Sequence, residues 1–219
     1  MNIAIDGPAG AGKSTIAKRS AKELSFIYVD TGAMYRAIAL YLLRNDVSPE
    51  DDAALKKALS GINIRIAYED GAQQVYLNDE NVSTEIRKEE VGNTASLAAT
   101  KAPVREKLLA LQRDLAASAD VLMDGRDIGT NVLPNAELKI YLTASVDVRA
   151  ERRRKELEEK GETPDIDKIR ADIEARDYQD MHRDIAPLKQ ADDAVWIDSS
   201  DMTIEEVVAR IVSLAKERR

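Results

Sequence analysis

The chain opens on a short apolar, β-branched run, Ile3-Ala4-Ile5, which ends at Asp6 and passes at once into glycines. Small and apolar positions then recur at Ile16, Ala17, Ser20, Ala21 and Leu24, the spacing of one helix face. The pattern reads strand, glycine-rich turn, helix. A second apolar run, Phe26 to Val29, stops at Asp30-Thr31-Gly32, and a helix through Tyr35, Ile38, Ala39 and Leu42 follows, with Asp30 or Thr31 as N-cap. Ile62, Ile64 and Ile66 alternate with Asn63, Arg65 and Ala67. A turn at 69–72 and a second alternating run, Gln74 to Leu77, make this an antiparallel hairpin inserted between helical stretches.

Downstream, Val104, Leu108, Leu111 and Leu115 stripe a helix over 103–115. Val121 to Met123 and Leu138 to Leu142 read as buried strands. A charged helix spans 148–160, stopped by Gly161 and Pro164, and another spans 166–183, ended by Pro187. Val195 to Ile197 is the last strand, and a helix from Thr203 carries Val207, Val208, Ile211 and Leu214. Five short strands alternating with helices predict an α/β fold, a parallel sheet with helices on both faces. The expected organisation is one domain over 1–219.

Composition narrows the chemistry. With 44% hydrophobic and 33% charged residues among 219, the chain is an ordinary globular sequence. One Trp, one Phe and seven Tyr leave the core to aliphatic side chains. The absence of cysteine excludes disulfides, thiolate metal sites and cysteine catalysis. The single histidine, His182, excludes a His-rich metal site and argues against a Ser-His-Asp triad; it reads as an exposed helix residue. A net charge of −8 disfavours a nucleic-acid surface. No apolar run approaches membrane-spanning length. The opening apolar run is too short for a signal peptide, so a cytoplasmic location is expected.

Gly7-Pro8-Ala9-Gly10-Ala11-Gly12-Lys13-Ser14 fits G-x-x-x-x-G-K-[ST] in full, between a predicted strand and a predicted helix. Its glycines let successive N–H groups turn inward on an anion, and the helix presents its positive end to the same anion. Lys13 reaches the β- and γ-phosphates, and the Ser14 hydroxyl ligates Mg²⁺. A nucleoside triphosphate is the expected ligand.

Arginines near strand ends bear on the acceptor. Arg36 lies one turn into the helix after Asp30, and Arg126 follows the strand 121–123 in Asp124-Gly125-Arg126-Asp127. Ligands of parallel sheets sit beyond the carboxyl ends of strands. Arg176, Asp180 and Arg183 share one helix face, as do Arg149, Arg152 and Arg153; for the second set a solvated, ion-paired face is the alternative. Several guanidinia beside a loop that already serves one triphosphate imply a second phosphorylated ligand, a nucleoside monophosphate. Asp124 ends a hydrophobic strand, where a carboxylate holds Mg²⁺ through water; the alternative is a turn residue before Gly125. Asp127, just after the strand, reads as a helix or turn cap. Trp196, in a strand, reads as packing.

These segments closely resemble the bacterial cytidylate kinase family. The resemblance rests on residues 7–15 (including Thr15), on Asp30-Thr31-Gly32-Ala33-Met34-Tyr35-Arg36, on Asp124-Gly125-Arg126-Asp127-Ile128-Gly129-Thr130, and on the stretch from Arg176-Asp177 to Leu188. It implies a P-loop fold with strand order 2-3-1-4-5, a small antiparallel β insert, and transfer of the γ-phosphoryl group of ATP to CMP or dCMP with Mg²⁺, in pyrimidine nucleotide metabolism. By the same resemblance, Arg36, Arg126 and Arg183 hold the acceptor phosphate, and Arg176 and Asp180 the ribose. Ser96, Arg105 and Asp127 meet the cytosine, and Thr31 stands where the family also uses Ser. Residues 148–164 match its lid, with Arg149, Arg152 and Arg153 toward the donor; 1–30, 116–147 and 165–219 match the core, and 31–115 the monophosphate-binding region. Lys13, Arg126, Arg152 and Arg183 form the catalytic set. The partners expected are small-molecule nucleotides, with no nucleic-acid polymer and no membrane, and the chain is expected to be a monomer. Two other readings of the loop remain: a kinase for a hydroxyl metabolite, which needs a carboxylate base, and a regulatory nucleotide-binding module.

Overall fold

The structure is a computed structural model in which residues 1–69 and 71–219 are described. In chain order its elements are β1 (Asn2–Asp6), α1 (Lys13–Leu24), β2 (Ile27–Asp30), α2 (Thr31–Arg44), α3 (Asp52–Ser60), β3 (Ile64–Glu69), β4 (Ala72–Leu77) and β5 (Glu80–Asn81). There follow α4 (Glu89–Ala98), α5 (Ala102–Ser118), β6 (Val121–Gly125), β7 (Leu138–Thr143), α6 (Val146–Glu159), α7 (Ile166–His182), β8 (Val195–Asp198) and α8 (Ile204–Glu217). A 3₁₀ turn precedes α4 and a single π-helical turn, Ile128–Val132, follows β6.

The larger sheet has the order β2-β6-β1-β7-β8, which is 2-3-1-4-5 when its five strands are counted along the chain. β1 pairs in parallel with β6 and β7, and β7 with β8. The smaller sheet is β3-β4-β5, antiparallel. The hairpin is where the alternation puts it, with the short third strand β5 added. Asp70, in the turn expected at 69–72, lies outside the described residues.

Contacts divide the chain into two units, 1–28 with 119–219, and 29–118. In the first unit, Ile3, Ile5, Leu122, Leu138, Ile140 and Leu142 pack with Ile16, Ala17 and Ala21 of α1 and Val207, Val208 and Ile211 of α8. Ala4 and Met123, on the alternate positions, are buried as well, so β1 and β6 are covered on both faces at mid-strand. In the second unit, α2 packs on α4, α5 and β4, around Met34, Ile38, Leu42, Ile86, Val91 and Leu108.

Side-chain caps set most helix starts. Asp30, Asp51, Ser145, Asp165 and Thr203 each accept from a first-turn N–H, and Thr203 forms a capping box with Glu206. α1 differs: it opens from Gly12 with φ 81° and no side-chain cap. Its first N–H groups are left to the loop before it.

Some expectations move by a residue or more. β2 starts at Ile27, one residue after Phe26, because the Phe26 N–H closes the end of α1 by donating to Ala21 O at 2.8 Å. α7 ends at His182, so Arg183 is its extended C-cap (ψ 143°) and does not lie on the helix face with Arg176 and Asp180. Trp196 is not a packed interior residue. One ring face stacks on Tyr141, its register partner on β7 (centroids 5.0 Å apart), and the residue remains 54% exposed because β8 is an edge strand. His182 is exposed, its ring stacked on Tyr178 at 4.0 Å.

Candidate active site

The loop at residues 7–14 joins β1 to α1. Gly10 and Gly12 hold φ of 75° and 81°, the left-handed region that glycine enters without penalty. Gly7 is constrained further: at φ 152°, a Cβ would stand 1.9 Å from the Leu142 carbonyl oxygen on β7. Lys13 is buried and donates to Pro8 O at 2.7 Å, so its ammonium already lies along the loop. Burial and the Arg126 charge push that ammonium well below its usual range, against the pull of Asp124, Asp180 and Asp6.

Asp124 lies inside β6, so it is a strand carboxylate and does not shape the turn. Ser14 Oγ donates to its Oδ2 at 2.9 Å, and the Tyr28 hydroxyl donates to its Oδ1 at 2.8 Å. A hydroxyl and a carboxylate in contact at the foot of a phosphate loop form an all-oxygen pair that fits a hard cation, with water and phosphate completing its shell. Among the described residues, no group of three or more His, Cys, Asp or Glu side chains is arranged to hold a metal alone.

Beyond β6 a second cluster forms. Arg126 Nε donates to Asp180 Oδ2 at 2.8 Å. Arg183 donates to Asp127 Oδ1 at 3.2 Å and to Ala186 O, with its second terminal nitrogen 3.9 Å from Asp180. Asn131 Nδ2 donates to the other Asp127 oxygen at 3.1 Å. Burial opposes the Arg126 charge, but Asp180, Asp124 and Asp177 outweigh it and hold the guanidinium raised. Asp180 is held low in turn, burial being overcome by Arg126, Arg176 and Arg183. The cluster is thus an alternation of fixed charges, with Asp127 and Asp180 orienting two guanidinia. Arg176 is half-buried on α7, within electrostatic reach of Asp180.

The arginines of α6 divide. Arg149 is buried; it donates to Ala144 O and Ala9 O, both at 2.9 Å, and pairs with Asp177 at 2.6 Å. It buttresses the phosphate loop from behind, its Cβ lying 3.3 Å from where a Cβ on Gly10 would be. Arg152 donates to Ser199 O at 2.7 Å and Ser199 Oγ at 3.3 Å, and its guanidinium passes 4.0 Å from the Cβ position of Gly12. Arg153 is more exposed and pairs along its own helix with Glu156 at 2.9 Å.

The remaining candidates, Thr31, Arg36, Ser96 and Arg105, belong to the second unit. Thr31 is buried at the start of α2. Asp30, which caps α2, is fixed by Gln73 of β4, whose side chain bonds both its N–H (2.8 Å) and its carbonyl (3.2 Å). Arg36 donates to Ile86 O at 3.2 Å, and its guanidinium lies 3.6 Å from the Cβ position of Gly92, so the small residue on α4 leaves it room. Arg105 is buried, donates to Ala99 O at 3.2 Å, and sits over the Tyr35 ring at 5.7 Å. Ser96 is half-buried on α4.

Sequence reasoning missed Tyr28, Asn131 and Asp177, which hold Asp124, Asp127 and Arg149, and Asp6, which holds the turn that follows Asp127. For Asp6 there was a signal: a carboxylate at the inner end of a buried strand. The others are conveyed only by the folded arrangement.

A parallel sheet of this order, with a phosphate loop between its central strand and first helix, defines a P-loop nucleotide-binding protein. An uncharacterized protein from Eubacterium ventriosum shares the fold, with a TM-score of 0.54 at 12% identity over 100% of this chain and 99% of its own. The chain belongs to the cytidylate kinase family, whose model matches residues 3–217. It is 49% identical over 219 residues to a cytidylate kinase of Lactobacillus johnsonii, covering 100% of this chain and 95% of that one. It is 50% identical over 214 residues to a cytidylate kinase of Leuconostoc mesenteroides subsp. mesenteroides, covering 98% and 96%.

Proposed function

We propose that this chain transfers the γ-phosphoryl group of ATP to CMP or dCMP, giving ADP and CDP or dCDP. Membership of the family along the full length supports the activity. The observation that carries the site assignment is the cluster beyond β6, where Arg126, Asp127, Asp180 and Arg183 are joined by ion pairs. Two guanidinia held by carboxylates suit a phosphate that arrives already charged.

The attacking oxygen belongs to a phosphate anion, so no general base is required, and catalysis reduces to alignment and charge neutralisation. Arg126 and Arg183, with Arg36 of the second unit, align the acceptor phosphate. Arg176 and Asp180 meet the ribose. Asp127 accepts from the cytosine N4 amine, while Arg105 and Ser96 donate to its N3 and O2. Uracil puts an oxygen where cytosine has that amine, and two acceptors would then face each other. Thr31 adds a hydroxyl on the acceptor side. On the donor side the main chain of residues 7–15 and Lys13 hold the triphosphate. Arg152 and Arg153 neutralise charge on the moving phosphoryl, and Arg149 shapes the loop. Ser14 and Asp124 would hold Mg²⁺, which would supply neutralisation of charge on the donor phosphates. Residues 148–164 act as a lid that excludes water, and 29–118 as the monophosphate-binding region. The chain works as a cytoplasmic monomer; among the described residues, no helix is long and apolar enough to cross a membrane.

A coupled assay with the common monophosphates tests this reading. ADP formation should require Mg²⁺ and be fastest with CMP and dCMP. Equal rates with AMP, GMP and CMP would overturn it. A hydroxyl-metabolite kinase would instead show no transfer to any monophosphate, and would lose all turnover on Asp127→Asn.

A further inference from the structure

We propose that Asp6, the last residue of β1, is a positioning residue for recognition of the acceptor base: it caps the turn that follows Asp127 and so releases the Asp127 side chain for the nucleotide. The inference rests on the reading of Asp127 as the cytosine contact.

The π-helical turn Ile128–Val132 is buried at its start, and buried N–H groups there need acceptors. The usual acceptor is the side chain of the residue at the N-cap, as at Asp30, Asp51 and Asp165 of this molecule. Asp127 occupies that position with a suitable side chain, yet makes no capping bond. Instead the Ile128 N–H donates to Asp6 Oδ1 and the Gly129 N–H to Asp6 Oδ2, each at 2.7 Å, across 122 and 123 residues of sequence. The Asp127 carboxylate is thereby turned to Arg183 and Asn131.

A buried carboxylate is a costly cap. Burial raises the Asp6 carboxyl to about 6, against the two N–H bonds that favour its charge; Asp127 adds to the rise and Lys13 opposes it. A neutral cap would avoid that desolvation, but only a carboxylate offers two acceptors to two neighbouring N–H groups. The fit is close on the far side as well. Gly129 lies against Asp6 Oδ2 and the Lys139 stem, 3.4 and 3.1 Å from where a Cβ would stand, while the Lys139 ammonium is engaged by Asp193 at 2.9 Å. Asp6 also directly precedes Gly7, so one residue joins the start of the phosphate loop to the turn that aims Asp127.

Asp6→Asn keeps one acceptor and sets an N–H₂ against the other N–H. It should raise KM for CMP by about tenfold and shrink the CMP-to-UMP ratio of kcat/KM by about tenfold, the scale of one lost charged cap. The dissociation constant for ATP should stay within about threefold. Gly129→Ala, which presses on the same contact without altering Asp6, should shift the same two quantities by about threefold. It decides the matter alone if Asp6→Asn does not fold. An unchanged CMP-to-UMP ratio, or ATP and CMP binding weakened alike, would overturn the proposal by making Asp6 a general scaffold residue. A wild-type enzyme with no preference for CMP over AMP or GMP would overturn the functional reading beneath it, and is distinguishable because it appears before any substitution.

Discussion

The loop at 7–14 is shaped by its main chain, whereas the turn at 124–132 is built of side chains that other side chains hold in place. In the loop, glycines take backbone angles closed to other residues, and Lys13 folds back along the loop's own carbonyl. At the turn, Asp180 fixes Arg126, Asp127 faces Arg183, and Asp6 reaches in from β1. A triphosphate tail offers the same geometry whatever base it carries, so repeated N–H groups suffice to hold it. An acceptor must be told from its analogues, and that calls for particular donors and acceptors at particular points. The two corners should therefore fail in different ways.

The largest failure belongs to the loop. Gly7→Ala puts a methyl group into the Leu142 carbonyl, at 1.9 Å where contact begins near 3 Å, and should abolish ATP binding or soluble expression, read by nucleotide titration and yield. Survival of normal ATP affinity would mean that β7 gives way easily. Next comes Arg126→Ala, which removes the proposed acceptor contact and breaks the ion pair with Asp180. It should lower kcat/KM for CMP by ~10³-fold or more while ATP affinity changes by no more than about threefold. Equal losses for both nucleotides would erase the distinction between the corners.

A third measurement concerns pH. Burial raises the Asp6 carboxyl to about 6 in the fold, above the 3.8 of an ordinary exposed aspartate. Between those values the native state binds more protons than the unfolded one. This group's contribution to stability therefore falls as pH rises from about 4 to about 6, and its cost is fully present at pH 7. Asp6→Asn lacks that slope. Relative to the wild type, urea unfolding should show the variant gaining up to ~3 kcal/mol between pH 4 and pH 7. Lys13, Asp127 and Lys139 surround the group and are common to both proteins. A flat difference would mean that Asp6 is already ionised at pH 4. The smallest expected effect is that of Asp127→Asn. It should cut the preference for CMP over UMP by about 10- to 100-fold with kcat for CMP less affected, since an amide still offers one acceptor.

The same contrast governs what could be read in advance. The curl of residues 7–14 was legible because consecutive positions encode it, with glycines where the backbone turns and Lys13 and Ser14 opening the helix. The strands and their order were legible too, the strands from apolar runs and the order from resemblance. At the turn, Arg126 and Asp127 stood out as charges after a buried strand, but whether Asp127 was cap or contact depended on Asp6, 121 positions away in sequence. Arg149 was legible as a charge and not as a buttress, because its partners Ala9, Ala144 and Asp177 come from three separate stretches. Periodicity also carried α7 one residue too far: it registers a helix face and not the backbone rotation at Arg183 that ends it.

The stacked pair on the edge strand has a practical consequence. Trp196 is the sole tryptophan of the chain, half open to solvent, two residues before Asp198 and three before the Ser199 that Arg152 holds. Its emission is therefore an unlabelled optical readout of that neighbourhood. Whether Arg152 leaves Ser199 when ATP and CMP are added can be tested by stopped-flow fluorescence on the native sequence, free of background from any second indole.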